Sequence, residues 1–237
     1  MSGFLLINKP SGPTSHDIVD SVRRLTGERR VGHAGTLDPF ATGLLVVGVG
    51  REATKHLGEL IGLDKEYIAT IKFGATSDTY DRDGIITEFP NSNFQFPNKF
   101  QIPKSKIIPV LQSFIGTQKQ IPPMYSAKKV GGKKLYELAR AGKEIERKPV
   151  AITIYDLQLL KSIIHNSLFM IRVLCHVSSG TYIRSLAHDL GQTLGCGAYL
   201  EELERTAVGP FKLIEAQTIT EPLKYYSWEK IKARLTK

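Results

Sequence analysis

Asp38 is the residue of this chain whose surroundings are best suited to chemistry. It lies in a segment from Gly32 to Gly43 that reads Gly-His-Ala-Gly-Thr-Leu-Asp-Pro-Phe-Ala-Thr-Gly. The glycines permit backbone conformations that are closed to other residues, and Pro39 restricts the direction of the chain beside the carboxylate. A carboxylate on a loop that enters a core strand can act as a nucleophile or a base, although it can also simply cap a turn.

The segments around Asp38 predict the elements that must position it. An apolar strand over 4–7 ends at Lys9-Pro10. A capping box of Thr14 and Asp17 then predicts a helix that ends at Gly27, with these apolar residues at helical spacing: Ile18, Val19, Val22 and Leu25. The apolar run 44–49 has the length of a buried strand. The Asp38 loop should therefore lie between a helix and a core strand.

The rest of the chain predicts one sheet with helices around it. Residues 66–73 alternate as a half-buried strand, with Glu66, Thr70 and Lys72 on one face and with Tyr67, Ala69, Ile71 and Phe73 on the other. Residues 169–177 predict another strand, and helices are predicted over 107–115, over 182–194 and over 198–205. Pro109 is compatible only with the first turn of its helix. This alternation indicates an α+β or mixed α/β fold.

The charge of the chain favours a polyanionic partner. Its 32 Lys and Arg residues exceed its 23 Asp and Glu residues, which gives a net charge of +9. The segment 119–148 alone holds nine basic residues against three glutamates. Such a run can be a solvated face, but Tyr125 and Tyr136 lie within it, and tyrosine can stack on unpaired bases while lysines bind phosphates.

Composition also restricts the compartment. The two cysteines, Cys175 and Cys196, predict neither a disulfide framework nor a four-cysteine metal site. The first apolar run is too short for a signal peptide, and no run approaches the roughly 20 apolar residues of a membrane span. We therefore expect a cytoplasmic protein that does not associate with a membrane.

Six segments in order along the chain resemble the TruB family of tRNA pseudouridine synthases, which modify uridine 55 in the T-loop. The Asp38 segment resembles the catalytic motif of that family. The others are the opening segment 5–15, the second motif at 64–67 and 73–79, the RNA-gripping insertion at 122–129, the arginine segment 179–186 and the closing motif 203–211. The matches extend over residues 4 to 211. The resemblance implies a pseudouridine synthase fold, with a central, mostly antiparallel mixed sheet flanked by helices.

The resemblance also implies roles for the residues of the catalytic centre. Asp38 would be the nucleophile, and Arg184 would pair with it and keep it ionised. Tyr67 would stack on the target base and help a proton transfer late in the reaction, with core packing as its other role. Leu203 would cover the opposite side of the base. Tyr182 would pack beside the aspartate and the arginine. No metal or cofactor is implied, because the isomerisation involves no redox change.

The remaining implied residues concern the RNA. His33 would occupy the space that is vacated when the uridine flips out of the T-loop. Lys9 would support the wall of the active site or contact a phosphate. Lys128 and Lys129 belong to the RNA-gripping insertion, which we place at about 119–148. The expected partner is the T-arm of tRNA.

The end of the chain departs from the pattern of many family members. Only 26 residues follow Phe211, which is too few for the small C-terminal RNA-binding domain that many members carry. We therefore expect residues 1–237 to form one catalytic domain, with a terminal helix after Tyr225, Tyr226 and Trp228. We also expect a monomer that acts without a guide RNA.

Two other functions remain open at this stage. The chain could be a tRNA-folding chaperone or an RNA-binding module without catalysis, although an intact set of Asp38, Tyr67 and Arg184 argues against that. It could also be a pseudouridine synthase that acts on another RNA. The chemical route, by attack at C1′, by attack at uracil C6 or by abstraction of a sugar proton, is not determined by the sequence.

Overall fold

A computed structural model describes most of the chain. It covers residues 2–89, 95–96, 99–100, 102–126, 129–130, 133–135, 145–165, 168–219 and 223–236, with the backbone alone at 95–96, 99–100, 129–130, 133–134 and 165. Lys128 therefore lies outside the described residues, as does the side chain of Lys129. Much of the basic segment 119–148 is likewise outside them.

The described residues form both helices and strands. The helices are α1 (Ser15–Thr26), α2 (Arg51–Thr54), α3 (Leu57–Ile61), α4 (Lys104–Ser113), α5 (Ile183–Thr193) and α6 (Trp228–Leu235), with a 3-10 turn at Leu213–Glu215. The strands are β1 (Gly3–Lys9), β2 (Val31–His33), β3 (Thr42–Val49), β4 (Lys65–Phe73), β5 (Ala75–Ser77), β6 (Ile86–Glu88), β7 (Gln95–Phe96), β8 (Lys99–Phe100), β9 (Gly116–Gln120), β10 (Lys129–Val130), β11 (Lys133–Lys134), β12 (Val150–His165), β13 (Leu168–Val177), β14 (Ala198–Val208) and β15 (Phe211–Lys212).

The main sheet has nine strands and is mixed. Its order is β1-β3-β14-β4-β13-β12-β9, with β2 paired to β3 and β15 paired to β14. Strands β3 and β14 are parallel, with Gly43 opposite Arg205, whereas β1 with β3, β12 with β13 and β9 with β12 are antiparallel. The predicted fold class is confirmed. The chain divides into two compact units, residues 1–68 with 203–237 and residues 69–202, and each is described by itself.

The first unit is built on β1 and β3, which are buried on both faces. One face carries Leu5, Ile7, Leu45 and Val47 against α1, and the other carries Phe4, Leu6, Leu44 and Val46 against the terminal helix α6. Burial on both faces explains why these strands read as continuous apolar runs rather than as alternating ones.

Helix α1 forms as its caps predict. The Thr14 side chain accepts a hydrogen bond from the Asp17 backbone, the Asp17 side chain accepts one from the Thr14 backbone, and Gly27 ends the helix in the left-handed conformation. Ile18, Val19 and Val22 are buried, whereas Leu25 is 58% exposed. The predicted terminal helix is confirmed as α6, with Ile231 buried in the same unit.

A short C-terminal segment covers the outer edge of β1. Phe4 and Tyr226 exchange two backbone hydrogen bonds of 2.8 Å, and Gln217 bonds the backbone of Leu6 and Asn8 at 2.9 Å. The Gln217 side chain also brackets the backbone of Lys224, with bonds of 2.8 and 3.1 Å. The N-terminal strand is therefore paired on both sides.

The second unit contains the long antiparallel pair β12 and β13. The predicted inward face of β13 is confirmed, because Phe169, Ile171, Val173, Cys175 and Val177 are all buried. Strand β12 was not predicted; it carries register shifts after Ile154 and after Leu159, which interrupt the alternation that would have revealed it. Helix α5 is confirmed, with Tyr182 and Leu194 as its caps.

Two predictions of helix structure were wrong. Residues 198–205 belong to strand β14 rather than to a helix. Glu and Leu favour helices in isolation, but here the pairing of β14 with β3 decides the conformation. Helix α4 begins at Lys104, so Pro109 is its sixth residue and lies beyond the first turn.

We predict that Gly43→Ala destabilises the protein. Gly43 has a φ of +101°, and a Cβ there would lie 2.7 Å from the backbone nitrogen of Arg205 and closer still to its carbonyl oxygen. Because strain and a clash with a core strand add, the free energy of unfolding in urea should fall by about 3 kcal/mol.

Gly58→Ala is the matched control for Gly43→Ala. Gly58 is an exposed residue of α3, and an added Cβ would meet nothing within 4 Å. Alanine favours a helix, so this change should leave stability unchanged or raise it by about 0.5–1 kcal/mol. Equal stabilities of the two variants would show that the contact between β3 and β14 does not require glycine.

Candidate active site

The Asp38 loop is fastened to the segment that joins β1 to α1. The Ser15 hydroxyl accepts a 2.8 Å hydrogen bond from the Leu37 backbone nitrogen and lies 3.1 Å from the Leu37 carbonyl oxygen, to which it can donate. The Gly12 backbone donates to the Pro39 carbonyl at 2.9 Å, and the Ser11 hydroxyl donates to the Phe40 carbonyl at 3.1 Å. The loop therefore takes its shape from a neighbouring segment.

Lys9 holds the second half of the same loop. Its side chain is fully buried, and its ammonium donates to the carbonyl oxygens of Pro10 at 2.9 Å, Pro39 at 3.0 Å and Ala41 at 2.7 Å. Burial lowers the pKa of Lys9 from its ordinary value of 10.5 to about 8, against the attraction of Asp38, which acts to raise it. Of the two roles predicted for Lys9, the geometry supports that of a support for the loop wall.

Arg205 holds the first half of the loop from the opposite direction. It is only 1% exposed, and its guanidinium donates to the carbonyl oxygens of Leu44 at 2.7 Å, Gly35 at 3.1 Å and Thr36 at 3.4 Å. Arg205 was not among the predicted site residues. Its signal was its position between the buried residues Leu203 and Ala207 on one face of β14.

Asp38 itself is partly exposed between two buried anchors. Leu37 is 3% exposed and Phe40 is 5% exposed, so the apolar side chains on either side of the carboxylate are fixed in the core. The Asp38 carbonyl accepts a 3.1 Å bond from the Ala41 backbone, which closes a tight turn. A carboxylate held on such a turn is positioned before any substrate arrives, as a nucleophile requires.

Three other predicted residues lie in the same unit as Asp38. Tyr67 is 8% exposed and Leu203 is 7% exposed. Burial and the charge of Arg205 lower the pKa of His33, and its Nδ1 atom is buried without a hydrogen-bond partner. His33 is therefore a neutral ring in this structure, which agrees with a role in filling space rather than in proton transfer.

Arg184 lies in the other unit, where its guanidinium is held from three directions. It donates to the carbonyl oxygens of Tyr125 at 2.7 Å and Thr79 at 3.2 Å, and it forms an ion pair of 3.2 Å with Asp81. The side chains of the pair are only 5% and 7% exposed. Asp81, the partner in this ion pair, was not among the predicted site residues.

The start of helix α5 is fixed to the end of β9. The Gln120 side chain accepts a 2.9 Å hydrogen bond from the Tyr182 backbone nitrogen and donates a 3.0 Å bond to the Tyr182 carbonyl. The Ser185 hydroxyl donates to the Ile121 carbonyl at 2.9 Å. Arg184 lies between these two connections, so its backbone is fixed as firmly as its guanidinium.

Arg184 and Tyr182 lie in the second unit. The other predicted site residues that the structure describes with their side chains lie in the first unit: Asp38, Tyr67, Leu203, His33 and Lys9. The pairing of Asp38 with Arg184 stays a prediction. Among the described residues, no three His, Cys, Asp or Glu side chains are grouped to hold a metal ion. No helix in the described part of the chain is long and apolar enough to span a membrane.

Comparison with known proteins identifies the family of the chain. Residues 23–183 match the model of the TruB family pseudouridylate synthase N-terminal domain, and residues 184–235 match that of the tRNA pseudouridylate synthase B C-terminal domain. The chain belongs to the TruB family. The resemblance drawn from the sequence motifs is thereby confirmed.

Individual relatives of this TruB family chain are similar over most of its length. A protein of Syntrophotalea carbinolica named tRNA pseudouridine synthase B is 46% identical over 219 residues, which are 92% of this chain and 68% of that protein. One of Chlamydia trachomatis serovar L2 with the same name is 43% identical over 232 residues, which are 94% of this chain and 88% of that protein.

Solved structures give the same fold. A chain of a Cbf5-Nop10-Gar1 complex is 30% identical, with a TM-score of 0.63 over 89% of this chain. A chain of an archaeal box H/ACA sRNP Nop10-Cbf5 complex is 28% identical, with a TM-score of 0.60 over 92% of this chain. This TruB family chain spans about half the length of each, 50% and 51% respectively.

We predict that Lys9→Met destabilises the fold, and does so more strongly at high pH. Three loop carbonyls lose the ammonium, which should lower the free energy of unfolding by about 2 kcal/mol at pH 7. The folded protein releases the Lys9 proton near pH 8, whereas the unfolded chain keeps it until about 10.5. Because the unfolded chain binds more protons in that window, the stability of the wild type gains about 1.4 kcal/mol per pH unit there relative to the variant.

Lys55→Met is the control for Lys9→Met. Lys55 is an exposed lysine paired with Glu52, so its removal should change the unfolding free energy by less than about 1 kcal/mol at any pH. Urea titrations at pH 7 and at pH 9.5 measure both variants. A difference between wild type and Lys9→Met that stays constant or shrinks with pH would contradict the prediction.

We also predict that Asp81→Ala is strongly destabilising. The change leaves the buried Arg184 guanidinium without this carboxylate, which should cost about 3 kcal/mol of unfolding free energy. Asp83→Ala removes an exposed carboxylate 4.0 Å from Arg82 and should cost less than about 1 kcal/mol. Thermal unfolding of both variants provides the comparison, and similar losses would show that burial does not decide the value of the Asp81 pair.

Proposed function

We propose that the protein is a tRNA pseudouridine synthase that isomerises uridine 55 of the T-loop, with Asp38 as the nucleophile. The observation that carries the proposal is the carboxylate of the family's catalytic motif on a loop that two buried cations, Lys9 and Arg205, hold by its carbonyl groups. Membership of the TruB family and the names of its relatives support the same activity.

The reaction exchanges one glycosidic bond for another within a single nucleotide. The N1–C1′ bond of uridine breaks, the detached uracil turns over, and a C5–C1′ bond forms. The proton at C5 leaves to a base or to water, and N1 gains a proton, so the atoms balance without any oxidation or reduction. Because the change is an internal rearrangement, a positioned carboxylate is sufficient in principle and no cofactor is required.

Three chemical routes begin from the Asp38 carboxylate. It can attack C1′ and displace uracil, it can attack C6 of the base, or it can remove a sugar proton before the new bond forms. Each route requires the ionised carboxylate, and a neighbouring guanidinium favours that form. We assign this part to Arg184, which the second unit holds by Asp81 and two carbonyl groups.

The remaining residues of the proposal position the base. Tyr67 stacks on the uracil ring and Leu203 covers its other side, while Tyr182 packs beside the aspartate and the arginine. A base that must leave its stack to react needs such a pocket, together with something to fill the place that it vacates. His33, as a neutral ring, suits that second task.

Recognition of the tRNA rests on charge and on the T-arm. The net charge of +9 favours an RNA partner, and the lysines of the insertion, Lys128 and Lys129 among them, are assigned to its phosphates. We propose that the protein acts as a monomer in the cytoplasm, without a guide RNA. Its binding to tRNA should accordingly weaken steeply with added salt.

The proposal predicts that Asp38→Asn abolishes the reaction and spares binding. With tRNA labelled with tritium at C5 of uridine, the wild type should release tritium and Asp38→Asn should release none above background, because an amide is not a nucleophile of comparable strength. Filter binding should give similar dissociation constants for the two proteins. Replacement of uridine 55 should abolish release by the wild type.

Asp20→Asn is the matched control, since Asp20 is a partly exposed residue of α1 that is paired with Arg23. It should release tritium at the wild-type rate. Tight binding by the wild type without any release would instead favour a tRNA-folding chaperone. Release from ribosomal RNA but not from tRNA would keep the chemistry and contradict the substrate.

A further inference from the structure

The turn that carries Asp81 contains an unusual backbone conformation at Tyr80. Its φ is +65°, and among the described residues it is the single non-glycine residue with a positive φ. A bulky side chain is strained in this left-handed region and stays there only where its surroundings enforce it. Such strain at the neighbour of a buried ion-pairing residue calls for a physical cause.

Backbone hydrogen bonds supply the first part of that cause. The Tyr80 nitrogen donates to the Ser77 carbonyl at 3.1 Å, and the Tyr80 carbonyl accepts a 3.0 Å bond from Leu200 of β14. The Arg82 nitrogen donates to the Leu200 carbonyl at 3.1 Å. The Leu200 backbone therefore bonds the chain on both sides of Asp81. The left-handed conformation at Tyr80 turns the chain so that both bonds can form.

An aromatic stack supplies the second part. The Tyr80 ring lies on the ring of His188, with centroids 4.0 Å apart and planes 17° from parallel. Burial lowers the pKa of His188, and its Nδ1 atom is buried without a hydrogen-bond partner. The ring is therefore neutral near pH 7, so it stacks on Tyr80 without placing a second cation on the helix of Arg184.

The stack contacts the same face of helix α5 as the ion pair does. His188 follows Arg184 by four residues, so the two side chains lie on one face of the helix, one turn apart. Tyr80 and Asp81 are adjacent in the turn. Two adjacent residues of the turn thus meet two successive positions of one helix face, through a stack and through an ion pair.

We propose that Tyr80 and His188 are positioning residues for Arg184 in the isomerisation, a role that rests on the proposed function. Asp81 and the Thr79 carbonyl both attach the turn to the Arg184 guanidinium, at one position of the helix. The stack adds a second point of attachment one helical turn away, so that neither rotation of α5 nor a shift of the turn is possible without loss of contact. The direction of the guanidinium is fixed as a result.

The test measures single-turnover tritium release together with the affinity for tRNA. His188→Ala should slow release about tenfold because the guanidinium loses its fixed direction, with an unchanged dissociation constant. His188→Phe keeps a flat ring and should restore a rate close to that of the wild type. Gln192→Ala changes an exposed residue one turn further along α5 and should react as the wild type does.

Tyr80→Gly separates positioning from folding. Glycine adopts the left-handed conformation without strain, so this variant should keep the melting temperature of the wild type or exceed it. It lacks the ring, however, and should be as slow as His188→Ala. If both variants react at the wild-type rate while the wild type is active, the inference is overturned.

A second measurement does not depend on activity. The guanidinium ¹⁵N resonances of Arg184, assigned by their absence in Arg184→Lys, report how tightly that group is held. His188→Ala should shift and broaden them, and His188→Phe should not. Unchanged resonances in His188→Ala would overturn the inference even if the wild type formed no pseudouridine, whereas a wild type that is inactive with altered resonances would overturn only the proposed function.

Discussion

Two buried cations and the carbonyl groups that they bind are the constraint on which the rest of the site depends. A loop as short as that around Asp38 leaves several backbone oxygens inside the protein without partners from a helix or strand, and such groups are costly to bury. Lys9 and Arg205 bind four of these oxygens between them, those of Gly35, Thr36, Pro39 and Ala41.

The elements that could be predicted from sequence are those whose signal is local. The capping box at Thr14, the left-handed Gly27 and the alternation of β13 each depend on residues within a few positions, and each was confirmed. Strand β14 could not be predicted in this way. Its Leu and Glu residues favour a helix, its alternation is concealed by a buried arginine, and its conformation is decided by β3, from which it is some 160 residues distant, as the contact from Arg205 to Leu44 illustrates.

The residues of the candidate site show the same difference between local and distant signals. Family motifs identified Asp38, Tyr67 and Arg184, because those residues stand in recognisable segments. The residues that support them, Arg205 and Asp81, were missed because their importance comes from partners far away in the chain. The role of a buried charge depends on the group that neutralises it, and that group can be identified only once the fold is known. Sequence motifs therefore indicate the groups that are proposed to react more readily than the groups that position them.

The pairing of Tyr226 and Gln217 with β1 has a consequence for the folding of the protein during its synthesis. If the edge of β1 were exposed, strands of other chains could pair with it and aggregate, because it consists of Phe4, Leu5, Leu6 and Ile7. The C-terminal segment pairs with this edge of β1 instead. Because this segment is synthesised long after β1, a nascent chain carries an open apolar edge until the segment has emerged and paired with it.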